Sequence, residues 1–199
     1  MFQRFTAILI VPMGFGIYLF SDVVTTILLG TQWLETSGFI GLWGLTSALA
    51  VIYSHFPSEV YRSKGQPKIS LFAQLIYMCV MIPMLVYFVN FGFEALYVTR
   101  SLTRFLMILI AMIIMQFMYK IKTTEIIKNT LPMIISSFIM SCAGYFLRMV
   151  SSNIIWQFFA VFICIIVYFA ALFVLFPKVR KELLQTPQAK KIIAKILKK

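Results

Sequence analysis

Six long apolar stretches separated by short polar segments organise the chain: residues 5–29, 38–61, 69–89, 93–119, 126–147 and 154–176. Each holds at least the roughly 20 residues that an α-helix needs to cross a hydrocarbon core of about 30 Å. Lipid offers the backbone no hydrogen-bond partners, so spans of this kind must be helices. The short alternating strands of a membrane barrel have no counterpart in the pattern. The fold expected is all-α, a polytopic membrane bundle of about six transmembrane helices in residues 1–177, followed by a basic tail in 178–199.

The polar segments between the spans add an orientation. Arg4, the loop with Arg62, Lys64 and Lys68, the loop with Lys120, Lys122 and Lys128, and the tail from Lys178 onward hold 15 of the 18 Lys and Arg. The alternate segments, 31–37 and 90–91, hold none, and the segment after Leu147 holds only Arg148. Positive loops stay on the cytoplasmic side, so both termini are expected there. A missed or invented span would scramble this alternation. The expected location is a membrane, crossed several times.

Composition agrees with that picture. At 61% hydrophobic and 12% charged residues, 199 residues have too little interior to hide their apolar surface from water. The net charge of +12 could suit nucleic acid, but the cations fall between spans and in the tail, so no nucleic-acid partner is expected. Cys79, Cys142 and Cys164 lie inside apolar runs without metal-ligand spacing and read as small buried hydrophobes. The first run is long, begins almost at Met1 and lacks a small-residue cleavage site, so it reads as a span rather than a signal peptide.

Several spans carry helix-disturbing residues: Pro12 with Gly14 and Gly16, Pro57 near the end of the second span, and Pro83 within the third. These are either ordinary kinks or the bending points of a transporter that alternates between states. In the tail, residues 188–199 predict a basic amphipathic helix. Ile192, Ile193, Ile196 and Leu197 share its apolar face, and the bordering lysines suit an anionic leaflet or, alternatively, a specific partner.

No enzyme constellation is visible, and neither a cofactor nor a metal is implied. The single histidine, His55, reads as interfacial packing because catalytic use requires partners. The six carboxylates form no D-x-D or H-E-x-x-H pattern. The informative feature is Arg100 and Arg104, spaced i, i+4 on one helix face with Tyr97 and Ser101 beside them. Counting from Phe93, they lie about 10 and 16 Å along the span, the second near the bilayer midplane. An arginine there costs about 2.5–3.5 kcal/mol on the most lenient scale and therefore faces a bundle interior or a wet cavity. Asp22, placed by counting at a depth similar to Arg100, is the expected charge partner. Two compatible readings stay open: an Asp22–Arg100 pair locking two helices together, and a cationic cavity in which Arg104 receives an anionic head group.

With those residues in view, the sequence resembles polysaccharide and O-antigen flippases of the multidrug/oligosaccharidyl-lipid/polysaccharide exporter superfamily. The resemblance runs through Val11-Pro12 and Leu29-Gly30-Thr31-Gln32-Trp33. It continues in the basic loop Tyr61-Arg62-Ser63-Lys64-Gly65-Gln66-Pro67-Lys68 and in Phe91-Gly92-Phe93-Glu94-Ala95-Leu96-Tyr97, which is similar to the opening of a later span. It covers the trailing part of that family, so it implies a partial transporter that lacks a counterpart of the N-terminal lobe, completed by that lobe or by a second chain. The implied activity is non-enzymatic translocation of lipid-linked oligosaccharide on a polyprenyl pyrophosphate, and the implied location is a bacterial inner membrane. Arg100, Arg104 and Tyr97 would then receive the pyrophosphate, and membrane lipid would be the other partner. The alternative is a membrane subunit, or an inactive fragment, of a surface-glycan assembly complex that transports nothing.

Overall fold

The computed structural model describes residues 2–120, 122–151, 153–177 and 179–180. The expected tail, including the amphipathic helix at 188–199, lies outside the described residues apart from Val179 and Arg180. The described chain is all-α, with no strand. In order it runs α1 (Phe2–Leu19), α2 (Ser21–Leu28), a 3₁₀ turn (Thr31–Thr36), α3 (Ser37–Ala50), a π-helical turn (Val51–His55) and α4 (Phe56–Ser63). There follow α5 (Pro67–Phe88), a second 3₁₀ turn (Val89–Phe91), α6 (Phe93–Tyr119), α7 (Thr123–Val150) and α8 (Ile154–Leu175). Five helical runs are long and apolar enough to cross a membrane, and α1 with α2 makes a sixth if that bent pair is one span. The helices form two compact units, residues 1–134 and 135–199, with the division falling inside α7.

The first span departs from the expected single rod over 5–29. Its helix breaks at Phe20, and α2 leaves α1 at 85°. Pro12, the obvious candidate for a kink, sits inside the continuous α1 instead. The break falls where Ser21 and Asp22 begin a new helix. An acid in a first turn complements the positive end of the helix dipole. Thr25 and Thr26 then turn their hydroxyls back on the carbonyls of Ser21 and Asp22, at 2.6 and 2.8 Å. The straight part, 18 residues long, reaches about 27 Å, slightly less than a full hydrocarbon core. Asp22 therefore starts a separate helix, and counting depth along one straight rod does not place it beside Arg100.

In the first unit α1 and α3 run antiparallel in close contact, and small residues make that possible. A Cβ added to Gly14 would meet the Ala48 Cβ at 2.4 Å, and one added to Gly44 would meet Ile17 Cγ2 at 2.5 Å. Gly41 faces Ser21 and the Tyr18 carbonyl in the same seam. Membrane helices have no hydrophobic force to drive them together, so backbone approach through small residues supplies the packing energy.

The second span is one helical run from Thr31 to Ser63 with a π turn in its middle. Pro57 follows at the start of α4 and has no N–H to give, so the ladder just before it must rearrange. Gln3 on α1 takes up one carbonyl of the turn, its Nε2 donating to Ile52 O at 3.2 Å, and the Tyr53 and Thr130 hydroxyls pair beside it. His55 is exposed and lines a cleft of about 150 Å³ with Gln3, Thr6 and Glu59.

Contacts between α3, α5 and α6 set the register of the rest. Gly38 meets Tyr97, and Tyr61 donates to the Ala111 carbonyl at 2.9 Å, so α3–α4 and α6 run parallel. Tyr77 meets Arg100 and Gln66 meets Tyr119, so α5 returns antiparallel to α6. Of the α5 residues only Tyr77 is buried, and most of the others present an exposed apolar surface suited to lipid. The turn from α5 into α6 ends on Gly92 at φ 94°, a backbone conformation that side chains rarely adopt.

The second unit holds the later half of α7 and α8. Trp156 Nε1 donates to the Leu147 carbonyl at 2.9 Å, and Asn153 caps α8 by accepting from the Ile155 N–H at 3.2 Å. Of the cysteines expected to be buried, Cys164 is, whereas Cys79 and Cys142 are exposed on helix surfaces.

Candidate functional site: two arginines on one tryptophan

The α6 segment from Tyr97 to Arg104 faces α3 and α5. Along α3, Phe39, Trp43 and Ser47 recur every four residues, so they form a stripe up one side of the helix. Tyr97 packs against Phe39 and Phe93 with ring centroids 6.4 and 5.6 Å apart. One level deeper, the Arg104 guanidinium lies over the Trp43 ring, 3.5 Å from its centroid, and that of Arg100 lies 5.5 Å from the same centroid. Arg104 also donates to the Ser47 hydroxyl. Arg100 donates to the Tyr77 hydroxyl at 2.8 Å and to the Met81 sulfur on α5. Both arginines are half-buried.

Every one of these partners is neutral. Among the described residues neither guanidinium lies within ion-pair distance of a carboxylate, and Asp22 is not a hydrogen-bond partner of either. The charge partner expected for Arg100 is thus replaced by a phenol, a thioether and an indole face. The consequence is electrostatic. A tryptophan stabilises a desolvated cation by about 2 kcal/mol through its ring quadrupole, yet leaves the cation's charge intact. A carboxylate would have cancelled it. Two positive charges one helical turn apart therefore repel each other and project an uncancelled field into a low-dielectric region.

Other polar groups share this stretch of α6. Thr99, Ser101 and Thr103 are buried, and Thr103 Oγ1 closes back on the Arg100 carbonyl at 2.9 Å. Ser101 Oγ is buried without a hydrogen-bond partner among the described residues. The sequence brings Tyr97, Arg100 and Arg104 together by helical spacing alone. Trp43, Ser47, Tyr77 and Met81 escape that reading, because their register against α6 is a tertiary fact. The four-residue recurrence of Phe39, Trp43 and Ser47 is the one signal that could have singled out the facing stripe.

Among the described residues no group of three or more His, Cys, Asp or Glu side chains is placed to hold a metal. No family model, curated protein or solved structure matches this chain.

Proposed function

We propose that this chain takes part in translocating lipid-linked polysaccharide or O-antigen precursors across a membrane, with Arg100 and Arg104 receiving the anionic pyrophosphate. The observation that carries the reading is the pair of half-buried guanidiniums held by Trp43, Tyr77, Met81 and Ser47, with no carboxylate among the described residues. A membrane protein gains nothing in stability from two uncompensated arginines in a span. A phosphate-bearing head group would supply the missing charge, accepting charge-assisted hydrogen bonds from the guanidinium edges that face away from the indole. The polyprenyl chain would remain in lipid along the apolar surface of α5 while the head group is carried past Arg100 and Arg104. The resemblance to flippases names the glycan-bearing version of such a lipid, and the residues themselves speak only to its phosphate end.

The test is transport in vesicles. Proteoliposomes holding the purified chain and a polyprenyl-pyrophosphate-linked oligosaccharide are treated with a membrane-impermeant glycosidase. The expected result is digestion beyond the half that is initially exposed, slowed at least about tenfold by R104Q, as follows from losing a charged hydrogen bond worth about 1.5–3 kcal/mol. Digestion that stops at half, with or without the protein, would count against transport by this chain alone and favour the subunit reading.

A further inference from the structure

A second cationic surface lies at the Lys-rich ends of α4, α5 and α6, away from the Arg100–Arg104 site. Tyr119 ends α6 and stacks on Tyr61, with ring centroids 5.4 Å apart and planes 12° from parallel. Its hydroxyl donates to Gln66 Oε1 at 2.6 Å, and Lys64 Nζ lies 4.3 Å above its ring. One tyrosine thus ties the loop after α4 to the end of α6, although the two are more than fifty residues apart in sequence. Lys120 follows directly in a left-handed conformation that ends the helix, and Thr123 Oγ1 donates back to Gln116 at 3.2 Å, which keeps the turn into α7 short. Lys64, Lys68, Lys120 and Lys122 are all exposed in these two tied loops. Glu59 is engaged by Arg62 at 3.1 Å, and Glu125 offsets a single charge.

We infer that this surface binds the phosphate of an anionic phospholipid in the leaflet on the lysine-bearing side. Charge complementarity supplies the attraction, since lysines held at an anionic membrane surface each strengthen binding. The neighbouring side chains favour a lipid over a dissolved anion. Phe72 near the start of α5 and Phe117 near the end of α6 are 62% and 79% exposed, one turn to either side of the tied loops, where acyl chains would lie. Free phosphate would make no use of them.

The test is native mass spectrometry of the full chain taken from bilayers of equal phosphatidylglycerol and phosphatidylcholine. Wild-type protein is expected to retain phosphatidylglycerol preferentially. The preference should fall about fivefold for each lysine changed to Gln among Lys64, Lys68, Lys120 and Lys122. Y119L keeps every charge but unties the loops, and it should also lower the preference, which guards against misinsertion of the lysine variants. Equal retention of the two lipids by wild type, an unaltered preference in both the lysine variants and Y119L, or displacement by millimolar inorganic phosphate would each overturn the inference.

Discussion

Arg104 is settled by the neutral side chains of Trp43 and Ser47, and under the proposed function that leaves its charge available to a ligand. If Trp43 and Ser47 existed only to settle the arginine, an acid would serve at least as well. S47D therefore separates the two purposes. It should pair directly with Arg104 and leave the thermal midpoint in detergent unchanged or higher. Affinity for a polyprenyl-phosphate ligand, read by equilibrium binding on the same sample, should meanwhile fall about tenfold or more because the site now carries its own anion. Undiminished binding in S47D would mean that the ligand does not use this charge. Replacing Trp43 with Leu removes the cation–π contacts, so it should lower stability by about 2 kcal/mol, measured by denaturation of the purified protein. W43F should lose less, since a benzene ring retains part of the quadrupole.

At the scale of elements, the seam between α1 and α3 makes a sharp demand on side-chain volume. G14A places a methyl 2.4 Å from the Ala48 Cβ, too close to be absorbed without moving a helix. Overpacking of this kind should destabilise by about 1–3 kcal/mol, and A48G in the same chain should restore most of the loss; a thermal-unfolding double-mutant cycle measures the coupling. The positions of the long helices were legible from apolar runs alone, and the arginine face followed from i, i+4 spacing. The break at Phe20 was not, because apolar length says nothing of direction and Ser21-Asp22 reads equally as span interior or helix start. The π turn escaped for a related reason. Pro57 announces a disturbance, but whether a helix kinks or widens depends on neighbours such as Gln3 and Thr130, which reach it from elsewhere in the chain.

Along the whole chain, long apolar helices suited to a membrane are joined by cationic loops that alternate with neutral ones. That alternation makes a prediction about sidedness. With the natural cysteines replaced, single cysteines at Gly65 and Lys120 should be labelled by an impermeant maleimide from one side of the membrane only. One at Gly92 should be labelled from the other side. The role proposed for Arg100 and Arg104 is to hold their charge open for a phosphate-bearing lipid. Its most direct measurement is equilibrium binding of undecaprenyl pyrophosphate to purified wild-type protein and to R100Q/R104Q, with helicity and melting recorded in parallel. Tight binding by the wild type is expected, with a loss of at least about tenfold in a folded double variant. Equal binding by the two proteins would contradict it.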